Sequence, residues 1–254
     1  MFNLNDIDIN NINFKQRQSL YHNLKLISNK KKSHLIRIKT INEGEFLVKE
    51  KKPVEGIYFI LEGMVKVFNS GLDKNIKILR LVSKGDIIGL SSLNSNYYWS
   101  SAIVVKRARV YFISQKNLNT ILQTNCKLGL LLVNSLAFKL RYYEVRQKHL
   151  SIFSAADRVI DALLLTAYKF GNTTDQGLEV SICTSRKEIA SFANTTPEKV
   201  TRTLSDLKKQ KNIEVNGKNI VIKAKQALIN HLIKYLNQTE EPSDMNFSYP
   251  NLFY

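Results

Sequence analysis

Between Ser33 and Ile113 apolar residues tend to return at every second position, in short runs: "HLIRIKTI", "EFLVKE", "GIYFILEGMVKVF", "IKILRLV" and "AIVVKRARVYFI". A period of two sends successive side chains to opposite faces of an extended chain, so these runs read as strands rather than helices. Glu43-Gly44-Glu45, Glu62-Gly63, Ser70-Gly71, Lys84-Gly85-Asp86 and Gly89 separate them and supply tight turns. Many short strands at this spacing close into a small antiparallel barrel or sandwich.

The texture changes at Leu118. From there to His149 the chain has one glycine and no proline, and it carries two apolar lines on a helical period. Leu130, Val133, Ala137 and Leu140 form one; Leu128, Leu132, Ser135, Phe138 and Tyr142 roughly form the other. A helix apolar on two sides has two things to pack against. One is the barrel, and the other is either the same helix of a second subunit or more of its own chain. We take Leu128, Leu132, Ser135 and Tyr142 as the dimer-facing set. A hinge is expected at Ser151 to Ser154, then an amphipathic helix "AADRVIDALLLTAYKFG" closed by Gly171 as its C′ residue, and a polar linker from Asn172 to Gly177.

Ser185 and Glu188 have capping-box spacing and open a helix at Arg186. Ala193-Asn194-Thr195 interrupts it, asparagine being suited to a left-handed turn position. Thr196 is a good N-cap and Pro197 fits N1, where its missing N–H costs nothing. On the helix that follows, Val200, Leu204 and Leu207 share one face, which leaves Pro197, Glu198, Thr201, Arg202 and Ser205 on the other. Two short helices joined by a three-residue turn make a helix-turn-helix, whose second helix presents its N-terminal part to a major groove. "NIEVNGKNIVI" then alternates on both sides of Asn216-Gly217, a strong hairpin signal, and completes a winged unit.

Net charge is +17, which draws polyanions: nucleic acid, an anionic membrane face or an acidic protein. Lys208, Lys209, Lys211, Lys218 and Lys223 flank the second helix or lie on the wing, where phosphates run if that helix enters a groove. We add Ser185, Arg186, Lys187, Thr196 and Lys199 to the phosphate-contact set. The two cysteines, Cys126 and Cys183, make neither a disulfide framework nor a metal spacing, which fits a reducing cytoplasm. "MFNLNDIDINNINF" is polar and acidic where a signal peptide is basic then apolar, and no run reaches the ~18–20 apolar residues of a membrane span. A soluble cytoplasmic protein without a membrane partner is expected.

The order of glycine-punctuated β-roll, long helix and "SRKEIASFANTTPEKVTRTLSDLKKQKNIEVNGKNIVI" resembles the CRP/FNR family of bacterial transcription regulators over roughly residues 20 to 230. "GIYFILEGMVKVF" followed by "KGDIIG" carries the likeness independently. The resemblance implies an α+β fold: an N-terminal antiparallel β-roll of the cyclic-nucleotide-binding kind (1–114, with an N-terminal helical segment), a long dimerisation helix (115–152), a C-terminal winged helix-turn-helix (153–236) and a flexible tail (237–254). It also implies a homodimer on an inverted repeat of double-stranded DNA, with RNA polymerase as a further partner. Family members offer a glutamate and, four residues on, an arginine to base edges; Glu198 and Arg202 hold those places, with Pro197 where cAMP-responsive members carry arginine. Glu198, Thr201 and Arg202 together are closer to the FNR-like subgroup.

The resemblance is broken at the ligand site. Cyclic-nucleotide binders carry a glutamate after the "GDxxG" turn and an arginine in an Arg-Ser/Thr-Ala triplet; this chain has Leu90 after Gly89, and Ser100-Ser101-Ala102. Without the phosphate-pairing cation an anionic ligand is poorly compensated, which argues against cAMP or cGMP. Gly89, Leu90, Ser91, Ser92, Trp99, Ser100 and Ser101 either line a pocket for an uncharged or differently anchored effector of unknown identity or are an empty, partly filled remnant. No cysteine precedes Cys126, so the iron–sulfur form of oxygen sensing is ruled out. His22, His34, His149 and His231 are scattered, as packing or surface histidines are, rather than grouped for haem. No cofactor and no metal are expected. The barrel region, with one histidine and no cysteine, and the lack of a paired nucleophile and base speak against an enzyme. The alternative that survives is a small-molecule-sensing β-roll whose DNA-binding domain is vestigial.

Overall fold

The computed structural model describes residues 18–27, 33–71 and 75–237. The chain divides into two compact units, residues 1–141 and 142–253. The tail beyond Asn237 and the first seventeen residues lie outside the described part.

In the first unit a helix over 18–27 (α1) is followed by six antiparallel strands: β1 (Arg37–Ile41), β2 (Phe46–Val48), β3 (Gly56–Ser70), β4 (Ile76–Val82), β5 (Ile87–Ile88) and β6 (Ser101–Ser114). The sheet order is β1-β6-β3-β4, with β2 on β6 and β5 on β3. β3 and β6 run together from Gly56 opposite Ser114 to Phe68 opposite Ser101.

Their period of two builds two cores. Ile57, Phe59 and Leu61 of β3, with Tyr111 and Ile113 of β6, bury against Leu20 and Leu24 of α1 and against the helices that follow. Tyr58 and Ile60, with Val110 and Phe112, turn the other way and fill the interior of the roll alongside Val65, Val67, Ala102 and Val104. Each such apolar side chain contributes about 1.5–3 kcal/mol on burial, and Ile60, 0 % exposed, is among the costliest to shorten. The ladder bulges around Gly63 (φ 95°), where any Cβ would run into the Arg107 carbonyl; a glycine is required there by both conformation and space.

Where one helix is expected across Leu118–His149, the structure has two: α2 (Gln115–Thr124) and α3 (Cys126–Ile152), bent by 118°. The break is at Asn125, whose N–H donates to Leu122 O and whose Oδ1 accepts from Leu128 N at 3.1 Å, so that asparagine closes one helix and caps the next. The long helix accordingly starts at Cys126, not at residue 115.

The second unit contains the end of α3, then α4 (Ala155–Phe170), β7 (Asn172–Thr174), β8 (Gly177–Val180), α5 (Arg186–Ala193), α6 (Pro197–Lys209), β9 (Ile213–Asn216), β10 (Asn219–Ile222) and α7 (Lys225–Asn237). Ser154 caps α4 in a box with Asp157. Its sheet runs β7-β8-β10-β9. Two expectations need correction here. Asn172–Gly177 is not a bare linker, since β7 pairs with β8 and extends the wing sheet, an exposed polar edge that carries no alternation to betray it. Gly171 has extended backbone (φ −77°, ψ 153°) rather than the left-handed C′ form. It must be glycine because a Cβ would clash with Ala167 O.

Candidate nucleic-acid interface

α5 opens at Ser185, whose Oγ accepts from Glu188 N at 3.2 Å and donates to the Glu188 carboxylate at 2.7 Å. Its apolar side, Ile189, Ala190, Phe192 and Ala193, is buried. Asn194 adopts the left-handed conformation (φ 52°, ψ 54°) that the three-residue turn requires, and the Asn194 and Thr195 N–H groups both return to Ala190 O. Thr196 caps α6 by accepting from Lys199 N at 3.3 Å, and Pro197 is the first helical residue. Val200, Leu204 and Leu207 are 0, 2 and 4 % exposed, which seats α6 on the unit's core by one face only.

The opposite face is open: Glu198, Thr201, Arg202 and Ser205 are exposed and Pro197 is half-buried. The Glu198 carboxyl is held below its ordinary range, first by its own backbone N–H, then by the Thr196 hydroxyl, with Arg202 adding to both. A carboxylate folded onto the positive end of a helix stays ionised and stays an acceptor. Thr201 Oγ1 donates to Pro197 O at 2.9 Å and Ser205 Oγ to Thr201 O at 3.0 Å. With those protons committed to the backbone, both hydroxyls turn acceptor lone pairs outward. Only Arg202 adds donors, five in a planar fork.

Around this face Lys187, Lys199, Lys208, Lys209, Lys211 and Lys218, together with Ser185 and Thr196, are exposed, and Arg186 is half-buried. The wing turn is shifted by one residue from expectation: Asn216 pairs with Asn219 in the ladder, and the loop residues are Gly217 (φ 61°) and Lys218. Lys218 O accepts from Thr184 Oγ1 at 2.5 Å, which fastens the wing tip to the segment leading into α5. Lys223 is exposed but reaches back to Glu214 at 3.2 Å, so it is not a free wing cation.

The seven residues considered for an effector pocket are not gathered around one. Leu90 is 5 % exposed and turned into the core beneath α1. Ser92 is buried and accepts from Trp99 N at 3.3 Å, while Ser91 and Trp99 face outward, Trp99 being 68 % exposed. Gly89 turns the chain with φ 87°, Ser100 is half-buried, and Ser101 accepts from Glu50 N at 3.0 Å at the edge of a cavity of about 330 Å³ that it shares with Phe46, Lys49, Lys51 and Phe68. Inside the roll Tyr98 is locked by its hydroxyl, which donates to Gly56 O at 2.9 Å and accepts from Glu55 N and Gly56 N at 3.2 Å each. No group of three or more metal-ligating side chains occurs among the described residues, and among them no single helix is long and apolar enough to cross a membrane.

On α3 the dimer-facing set also needs correction. Leu128 and Leu132 are 1 and 6 % exposed, packed into the core of their own unit. Ser135 is half-buried and donates to Leu131 O, and Tyr142 is half-buried with its ring 5.5 Å from that of Tyr143. The open apolar line follows the other one: Leu130, Val133 and Leu140 of that line, joined by Leu136 and Tyr143, are between 42 and 62 % exposed.

A buried polar network in the second unit was not anticipated. Asp157 and Asp161 lie four apart on α4, 3 and 0 % exposed. Asp157 accepts from Ser154 in the capping box and meets His231 of α7 at 2.8 Å; Asp161 is paired with Arg146 and lies 3.2 Å from His149, both on α3. Two acids at i, i+4 in "AADRVIDALLLTA" were the available signal, since carboxylates on an apolar face require partners.

Residues 38–125 match the cyclic nucleotide-binding domain and residues 157–230 the Crp-like helix-turn-helix domain. The global nitrogen regulator of Nostoc sp. is 23 % identical over 188 residues, 73 % of this chain and 84 % of the relative. The anaerobic regulatory protein of Bacillus subtilis is 24 % identical over 205 residues, 80 % of this chain and 83 % of the relative. Among solved structures, a CRP-family transcriptional regulator of Thermus thermophilus superposes with a TM-score of 0.67 at 22 % identity, covering 76 % of this chain and 95 % of that one. FixK2 of Bradyrhizobium japonicum gives 0.66 at 23 %, covering 77 % and 96 %. These likenesses show the fold.

Proposed function

The chain belongs to the CRP/FNR family of transcription regulators, and from that premise we propose that it binds an inverted repeat as a homodimer, without cAMP. The reading rests on the outward row of Glu198, Thr201, Arg202 and Ser205 at the capped start of α6. A carboxylate accepts from cytosine N4 and a guanidinium donates twice to guanine O6 and N7. Pro197 lies at the same end, and Ser185, Arg186, Lys187, Thr196, Lys199, Lys208, Lys209 and Lys218 would hold the phosphates on either side.

Dimerisation through the open apolar line of α3 would present two reading helices about one turn of DNA apart, ~34 Å. The absence of cAMP dependence is supported by Leu90, which is committed to the core, and by Ser100 at the place of the family's arginine. Relatives named as cAMP-activated exist at similar identity, so this distinction is one of residues and not of family. RNA polymerase is a further partner by the same family logic, and the cytoplasm is where such a protein meets its DNA.

Selection of duplexes from a random pool by the full chain, with no nucleotide added, tests the reading. An enriched inverted repeat, whose affinity falls steeply with salt as counterions are released, is the expected result. Enrichment of nothing, or an Arg202→Ala protein that selects the same sequence, defeats it.

A further inference from the structure

The last residues of α5 and the turn ahead of α6 are gripped by two arginines from two other helices. Arg146 of α3 donates from one guanidinium nitrogen to Phe192 O at 2.9 Å, and its guanidinium carbon lies 4.9 Å from the centre of the Phe192 ring. Arg158 of α4 donates to Ala193 O at 3.0 Å, to Asn194 O at 3.2 Å and to Phe153 O at 2.9 Å. Three successive carbonyls, 192 to 194, are thereby met by cations at the negative end of a helix, where orphan acceptors need donors.

The two arginines differ in what holds them. The other face of the Arg146 fork is paired with Asp161, a carboxylate 0 % exposed, whose second oxygen lies 3.2 Å from His149 Nδ1. His149 is itself 1 % exposed and packed on Phe153 at 4.5 Å. Arg146 therefore bridges α3, α4 and α5 at a fixed point: a planar fork engaged on both edges cannot swing without breaking a charge-assisted bond.

We propose that Arg146 is a positioning residue for the reading helix, setting the attitude of α6 against the C-terminal end of α3, so that discrimination between DNA sequences depends on a side chain that is itself almost buried. The inference rests on the base-reading assigned to α6. Its physical content is that α6 follows the turn, the turn follows Phe192 O, and Phe192 O is tied to α3 through one guanidinium. Arg158 fixes the same turn to α4 and to the Phe153 carbonyl in the link between α3 and α4, rather than to α3 itself.

Arg146→Lys tests this. Lysine keeps a cation for Asp161, so the buried carboxylate is not left uncompensated, but a single ammonium on a flexible stem lacks the fork that serves carboxylate and carbonyl together. The probes are the duplex enriched by the wild-type protein and a scrambled duplex of equal length at one salt concentration. The expected result is a loss of affinity for the enriched duplex of roughly tenfold or more, the scale of one charge-assisted bond, with affinity for the scrambled duplex unchanged. Amide hydrogen exchange should quicken at Ala193 to Thr196 while α4 keeps its protection. Unchanged affinity for the enriched duplex, or an equal loss on both duplexes, overturns the proposal. A second variant, Arg146→Met with Asp161→Leu, removes both charges together and guards against misfolding of the first. It should lose discrimination in the same way, and wild-type discrimination in it overturns the proposal too. A wild-type protein that enriches no sequence defeats the reading of α6 itself, and does so before any variant is made.

Discussion

Leu140 on α3 offers the sharpest test of how two copies of this chain meet. It is 62 % exposed, so its removal leaves the core of the single chain untouched. Burying a leucine completely is worth about 1.5–3 kcal/mol, so covering the open 62 % contributes about 0.9–1.9 kcal/mol for each copy. A two-fold axis presents the residue twice. Leu140→Asp should then weaken the dimer by about 1.8–3.8 kcal/mol, roughly 20- to 600-fold in the dissociation constant, before the cost of confining two carboxylates is added. Sedimentation velocity across a concentration series reads that shift directly, with the melting temperature of dilute monomer as a control for folding. Leu128→Asp is the contrasting variant: Leu128 is 1 % exposed within its own unit, so it should unfold the first unit rather than dissociate a dimer. If Leu140→Asp sediments like the wild-type protein at every concentration, the open line of α3 is not the interface.

Other consequences follow from single side chains. Arg202→Ala should remove about 1–3 kcal/mol of discrimination at one base pair and leave affinity for scrambled DNA nearly intact, as read by competition binding. Glu198→Gln should relax selection at a neighbouring position, as read by sequencing selected duplexes. The Glu198 carboxyl has its folded-state pKa lowered, so what it contributes to the start of α6 is complete above the ordinary carboxylate range and is lost as pH falls through the lowered value. Carboxyl NMR of the whole protein should place its midpoint below that of an unfolded glutamate, and a midpoint at or above that value contradicts the geometry. Tyr98→Phe strands Gly56 O, Gly56 N and Glu55 N, and should cost roughly 1–3 kcal/mol in denaturant unfolding; an unchanged midpoint means water replaces the hydroxyl. Titration calorimetry with cAMP should show no saturable heat, and a micromolar isotherm there sinks the account of Leu90 and Ser100.

The winged unit was open to sequence reading because its signals are local. A Ser-x-x-Glu box, an asparagine turn, a Thr-Pro start and an Asn-Gly pair each act within four residues, and the period of Val200, Leu204 and Leu207 alone dictates that Glu198 and Arg202 face outward. The β-roll was legible for the same reason, alternation being a property of each strand. What was not legible depends on contacts distant in sequence. β7 has three exposed residues and becomes a strand only because β8 lies beside it. Asn125 divides two helices by bonds to both, and neither bond is foreshadowed by composition.

The two lines on α3 expose the limit most clearly. Periodicity requires that both be covered, but it ranks them equally, because a leucine that meets a barrel and a leucine that meets another subunit follow the same spacing. The choice is made by α1 and the outer, helix-facing side of β3: Leu20, Leu24 and Phe59 take up Leu128 and Leu132, which leaves Leu130, Val133, Leu136, Leu140 and Tyr143 open. The same reasoning places the buried acids. Asp157 and Asp161 are four apart, as Leu136 and Leu140 are, yet a carboxylate cannot be buried without a donor, so the pair requires hydrogen-bonding partners somewhere on the neighbouring helices. That those partners are Arg146 and His149 on α3 and His231 on α7, residues 12 to 74 positions away in the chain, is a fact of tertiary packing that no window along the sequence contains.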